Sequence, residues 1–170
     1  MKKRNRKTKS RLYVCHTFYH VYVAILKEMK LARTMPADAY KKADIALSAI
    51  STDFENLGDR LTKTELFDRV IALDEKREDF FPALAKYRKN YSSILKHMVN
   101  RMIFTKKLAK CEAPYMEVID FAAYKDIYVF CDSDPIGYYL NYKHIYYHAV
   151  EDGLDCLKNL DDAYVANHGH

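Results

Sequence analysis

The sequence predicts an α/β fold, a Rossmann-like three-layer domain with a mostly parallel sheet. Two observations predict it. Short, β-branched and aromatic runs of strand length alternate along the chain with longer stretches in which apolar residues recur at helical spacing. The strand-like runs are also apolar throughout, the pattern of strands covered on both faces by helices. A length of 170 residues with 49% hydrophobic content supports one core, and no internal repeat or low-complexity segment interrupts it beyond the basic start.

The elements follow in order. The opening "MKKRNRKTKSR" holds seven Lys or Arg and no acid, and residues 1–10 are expected to form a disordered arm ahead of a domain over 11–165. "RLYVC" (11–15) is the first strand. "HTFYHVYVAILKEMKLAR" then places Val21, Ala24, Ile25 and Met29 on one helical face. "ADIALSAI" (43–50) is the next apolar run, after which Ser51, Thr52 or Asp53 is expected to cap a short helix ahead of Gly58. "FDRVIALD" (67–74) is the third strand. The stretch from about Pro82 to Leu108 has few breakers and a helical pattern. "KDIYVFCD" (125–132) is the clearest strand, with a helix expected to open at Pro135. "HIYYHAV" (144–150) is the last strand, its His144 and His148 sharing one face by the period-two rule, and "GLDCLKNLDD" is helical.

Charge is distributed in blocks. The net +5 conceals the basic start and a second block, Phe80 to Cys111, with eight Lys or Arg and no acid; the rest of the chain is net acidic. Such blocks suit a polyanion or an anionic membrane surface, or simply a solvated helix face. No apolar run approaches the roughly 18 residues of a membrane span, and no apolar segment follows the basic start as in a secretory signal. The four cysteines, Cys15, Cys111, Cys131 and Cys156, form no CxxC pair and are expected to be reduced thiols of a cytoplasmic protein. With four glycines and no GxGxxG or P-loop, neither a dinucleotide oxidoreductase nor a P-loop enzyme is expected.

In a parallel sheet, ligands collect at the carboxyl ends of the strands. That edge is expected to gather Cys15 to His20, Ser51 to Asp53, Asp132 to Gly137, and Glu151-Asp152-Gly153. "DSDPIG" admits three readings: the nucleophilic DxD of a haloacid-dehalogenase phosphatase, the metal-binding DxD of a GT-A glycosyltransferase, or a strand end at Asp132 with Asp134 capping the helix at Pro135. The first two call for far more chain after the motif than residues 135–170 supply. His16 and His20 stand at i, i+4, a spacing that suits a metal only with a third ligand; none is marked, and contact with a substrate hydroxyl or packing at the helix start is expected instead. The "EDG" pairs a cleft-edge carboxylate with a neighbour able to raise its pKa, a combination suited to taking a proton from a sugar hydroxyl, although a helix-start turn uses the same letters.

Taken together, "RLYVCHTFYHVYVAILK", "YKDIYVFCDSDPIGYYLN" and "YYHAVEDGLD" resemble, over about residues 11–160, the N-terminal half of bacterial sialyltransferases and capsule polysialyltransferases, glycosyltransferase family 52 and its relatives. Glu151-Asp152-Gly153 matches the D/E-D/E-G element of that group; the first-loop and "DSDPIG" similarities are looser. The resemblance implies one half of a metal-independent GT-B architecture that serves capsule or lipooligosaccharide synthesis. Glu151, or Asp152 second, is then the general base for inverting transfer, with His16, Thr17, His20, Asp132, Asp134 and Gly153 on the substrate side. The donor would be a CMP-activated sialic acid, with no resident cofactor or metal. The donor-side His-Pro motif has no counterpart, because the four prolines follow Met35, Phe81, Ala113 and Asp134. The C-terminal donor-binding domain is thus expected to be missing and the chain to be inactive in transfer by itself.

The partners that follow are a glycan acceptor of anionic character, a peripheral contact with the inner membrane face through Lys2 to Arg11, and a homodimer; nucleic acid is not favoured. A second class of function also fits the composition: a non-catalytic α/β binding module whose basic helix contacts a polyanion or a membrane surface.

Overall fold

The computed structural model describes residues 9–87 and 93–150. Five parallel strands, β1 (Lys9–Cys15), β2 (Asp44–Ser48), β3 (Arg69–Leu73), β4 (Tyr124–Val129) and β5 (His148–Ala149), lie in the order β3-β2-β1-β4-β5. Four helices connect or flank them: α1 (Phe18–Thr34), α2 (Leu57–Lys63), α3 (Ile94–Met116) and α4 (Pro135–Tyr142). This is the Rossmann-like three-layer arrangement that the alternation of strands and helices predicts.

The period of two along β1 explains the two cores. Leu12 and Val14 face one side of the sheet, where they join Ala46, Ile71, Ile127 and Val129 beneath α3 and α4 through Met116, Ile136 and Leu140. Tyr13 and Cys15 face the other, with Ile45, Leu47 and Phe67 under α1 and α2 through Val21, Ala24 and Leu61. A strand buried on both faces needs apolar residues at every position, which is why β1 and β2 read as continuous runs rather than alternating ones. Leu12, Val14, Cys15, Ile45 and Ala46 are wholly inaccessible. Burial pushes the Cys15 thiol well above the ordinary range, so it behaves as a packing residue.

Two buried polar knots pin the opposite, amino edge. Glu28 of α1 is fully buried and accepts Arg11 Nε at 2.8 Å and Nη2 at 2.9 Å, together with the hydroxyls of Tyr13 and Tyr40. Asp44 accepts Lys9 Nζ at 2.6 Å, Arg69 Nε at 3.0 Å and Tyr124 Oη at 2.5 Å. Burial alone would raise the Asp44 carboxyl; the hydrogen bonds from Lys9, Tyr124 and Arg69 outweigh it and hold the group below the usual range.

Several boundaries differ from expectation. The strand begins at Lys9, so Lys9 and Ser10 belong to the sheet and not to the arm, and Lys9 and Arg11 pair with Asp44 and Glu28. Helix α2 starts at Leu57 after Asn56, with Gly58 inside its first turn; Asp53 instead accepts the Glu55 N–H at 3.0 Å in a local turn, the usual competing use of an Asp side chain. The long helix runs Ile94–Met116, while Pro82–Tyr87 forms a 3-10 turn. Pro114 lies within the last turn of α3, where it removes one of the helix's backbone donors. Strand β5 is two residues long, and His144 sits before it with φ of 54°, so His144 and His148 do not share a strand face. Pro135 opens α4 at N1, as its fixed φ favours. The helix expected at "GLDCLKNLDD" lies outside the described residues.

Candidate functional site

From β1 the chain builds outward through β2 to β3, then α3 carries it back so that β4 and β5 add on the other side of β1. The loops leaving β1 and β4 therefore diverge to opposite faces of the sheet at their carboxyl ends, the position where open parallel sheets hold ligands. Three segments meet there: His16 to His20 after β1, Asp74 to Arg77 after β3, and Cys131 to Gly137 after β4.

The β1–α1 turn is a reciprocal cap. Thr17 Oγ1 accepts the His20 N–H at 3.4 Å, while His20 Nδ1 accepts the backbone N–H groups of His16 at 3.0 Å and Thr17 at 3.2 Å. A ring nitrogen that accepts two N–H groups carries no proton, so the His20 proton resides on Nε2. The His20 ring also stacks on Phe130 of the β4 exit, with centroids 4.7 Å apart and planes at 11°.

Glu75 ties the three segments together. Its Oε1 lies 2.6 Å from His16 Nε2, and its Oε2 accepts the N–H of Ile136 at 3.1 Å, in the first turn of α4. Glu75 is 4% exposed and His16 is inaccessible. The carboxylate fixes the Nε2–H tautomer of His16 and satisfies one of the amides that a helix start leaves without an internal partner. Asp134 Oδ2 approaches the same His16 nitrogen at 3.7 Å. Asp134 occupies the N-cap position of α4 but makes no side-chain capping bond, so the expected cap is one of backbone position only. Asp132 is hydrogen-bonded to the Tyr147 hydroxyl beside β5, whose pKa is raised mainly by burial. The loop between them is closed tightly: a Cβ on Gly137 would stand 1.8 Å from the Asp132 carbonyl oxygen.

Outside this frame lies a cleft of about 360 Å³ lined by Arg77, Glu78, Ser133, Asp134, Pro135 and Tyr138. Behind it, Glu112 of α3 is fully buried; its Oε2 accepts the Lys76 N–H at 3.2 Å, and burial, with Glu75 nearby, pushes its carboxyl up to about 7.

Of the residues expected on the substrate side, the fold brings His16, Thr17, His20, Asp132 and Asp134 to one edge. Asp134 lines the cleft, Thr17 is partly exposed, and both histidine rings are inaccessible. Their geometry fits packing at the helix start, the alternative to contact with a substrate hydroxyl. Glu151, Asp152 and Gly153 lie outside the described residues. The described chain ends at Val150, whose N–H donates to the Val129 carbonyl at 2.8 Å, so it finishes at this same carboxyl edge beside β4.

Sequence reasoning missed Glu75, Glu112 and Cys131. The signal for Glu75 was present: "LDEK" immediately follows the third strand, and the carboxyl-edge argument applied to the other strands applies there equally. Cys131 supplies the third group near the histidine pair, since one ligand atom each of His16, His20 and Cys131 lies within 4.8 Å of the others. The set does not fit a cation, because His20 has its lone pair on the nitrogen that closes the cap and a proton on the other. Ligation would cost the α1 N-terminus two of its backbone bonds.

Fold and site together define a class: a Rossmann-like α/β domain whose carboxyl-edge loops are braced by a buried carboxylate. Comparison with family models, with curated proteins and with solved structures found no match to this chain.

Proposed function

We propose that the chain is the acceptor-binding domain of a sialyltransferase-like glycosyltransferase of GT-B type, acting in capsule or lipooligosaccharide synthesis. In this reading the acceptor hydroxyl attacks the anomeric carbon of a CMP-activated sialic acid, and Glu151, with Asp152 second, takes the hydroxyl proton. The bond to CMP breaks with its electron pair leaving on the phosphate, so the anomeric configuration inverts. The observation that carries the reading is the Val150–Val129 hydrogen bond. It holds the residue just before the acidic pair at the carboxyl edge of β4, the strand whose exit loop carries Ser133 and Asp134 of the cleft. Further support comes from the β3-β2-β1-β4-β5 order and from the resemblance of the quoted segments to family 52. In this reading the part of these residues is to hold and deprotonate the acceptor.

Isothermal titration with sialylated and phosphorylated oligosaccharides tests this. Saturable binding that Asp134→Ala weakens at least about tenfold, and that Glu151→Gln leaves within about twofold, is expected, because a base acts on the transition state more than on ground-state binding. Absence of binding to every glycan in the panel would remove the reading. A second reading, the binding module for an anionic surface, is favoured by the exposed face of α3.

A further inference from the structure

Helix α3 has 23 residues and so spans about 34 Å, whereas six-residue β4 spans about 20 Å. The excess is at the amino end. Leu108, Ala109, Glu112 and Met116 are the buried positions of α3, all in its second half. The first half has no sheet beneath it, and its large aliphatic side chains face solvent: Ile94 is 77% exposed, Leu95 74%, Met98 56%, Val99 56% and Met102 71%. Their spacing of i, i+1, i+4, i+5 and i+8 puts them on one face. Exposed Arg101 borders that face beside Met98, exposed Lys96 and Lys107 border it beside Val99 and Ile103, and Lys106 continues it one turn beyond Met102. No acidic residue occurs between Phe80 and Cys111.

We propose that the amino half of α3 is an interfacial anchor that seats the domain on an anionic phospholipid surface. The inference stands independently of the glycan reading. An unbroken aliphatic stripe bordered by cations is the chemistry of a helix lying in the headgroup plane: the stripe enters the acyl boundary and the cations meet anionic headgroups. Nucleic acid fits less well, since its phosphates offer nothing to five exposed aliphatics and the stripe carries no aromatic ring for base stacking. Symmetric pairing with a second copy fits less well too, because an isologous contact would set the two fringes of Lys and Arg against each other. Lys9 and Arg11 are paired with Asp44 and Glu28 within the fold.

The test is co-sedimentation of the full chain with vesicles of phosphatidylcholine alone and of equal parts phosphatidylcholine and phosphatidylglycerol. Binding to the anionic vesicles only, weakened by salt, is expected, with a loss of at least about tenfold in M98E/M102E and in K96E/R101E/K106E. These positions are exposed, so circular dichroism and melting temperature should match the parent. A variant with Lys2, Lys3, Arg4, Arg6 and Lys7 changed to Gln should still bind. The proposal is overturned if the α3 variants sediment like the parent, or if neutralising the basic start alone abolishes binding. It is equally overturned if M98E/M102E dissolves a dimer without altering sedimentation, if the same variants lose DNA binding while vesicles never bind, or if they lower the melting temperature because the stripe is covered within the chain.

Discussion

His16 Nε2 and Glu75 Oε1 lie 2.6 Å apart across the carboxyl ends of β1 and β3, with both side chains buried. Because the other oxygen of Glu75 receives the Ile136 amide, one carboxylate sets the spacing of three loops. Replacing it by Gln would oppose an amide NH2 to a ring N–H or to the Ile136 N–H. Glu75→Gln is therefore expected to lose about 2 to 4 kcal/mol of stability in urea unfolding. The Nε2–H signal of His16 in nitrogen-15 spectra should shift with it. A change below about 0.5 kcal/mol would show that the loops hold without this brace.

Glu112 predicts a pH dependence of stability. Its folded pKa stands near 7, above the ordinary 4.5. Between those values the folded state keeps a proton that the unfolded chain has released, so stability falls as pH rises. The contribution is fully present below the unfolded pKa and is lost as pH climbs through about 7. Glu112→Gln, which imitates the protonated acid, should flatten this slope and stabilise the protein by about 1 to 3 kcal/mol at pH 8. Parallel urea midpoints from pH 5 to 8 in parent and variant would contradict the assignment.

The Arg11–Glu28 pair separates the cost of breaking an ion pair from its net worth. Glu28→Ala strands a buried guanidinium and two tyrosine hydroxyls and should cost about 3 to 5 kcal/mol, enough to unfold a marginal domain. The double variant Arg11→Met/Glu28→Leu removes both charges and should recover most of that loss. Thermal unfolding of the three proteins decides it; a double variant as weak as Glu28→Ala would mean that the charges contribute net stability.

At Gly137 the obstacle is backbone, which cannot swing aside as a flexible side chain would. Gly137→Ala sets a methyl against the Asp132 carbonyl and should cost about 2 kcal/mol or more, with exchange protection lost first in the Asp132–Ile136 turn. Unchanged hydrogen exchange there would contradict the close approach.

Fold class, strand order of appearance and the Pro135 helix start were legible in the sequence because each rests on local pattern: β-branched apolar runs for strands, a fixed φ for the first helical residue. The ends of α3 were not. Residues 82–87 carry a helical pattern yet form a 3-10 turn, and Pro114 suggests a stop that the last helical turn absorbs. Strand β5 shrank because "HIYYHAV" has the composition of a strand while His144 takes a left-handed conformation at its start. In the site, Thr17 and His20 were visible as a helix start, but the brace was not. Glu75 and His16 are 59 positions apart, and only the pairing of β1 and β3 with β2 brings them together. The same long-range dependence hid Cys131 from His20 and Glu112 from Glu75.

The proposed function requires a carbohydrate acceptor in the cleft lined by Arg77, Ser133, Asp134 and Tyr138. Amide shift mapping of the full chain during titration with a sialylated oligosaccharide tests it most directly. Saturable shifts are expected at Thr17, Ser133, Asp134 and Tyr138 together with Glu151. Shifts confined to the α3 face, or none at saturating glycan, would contradict it.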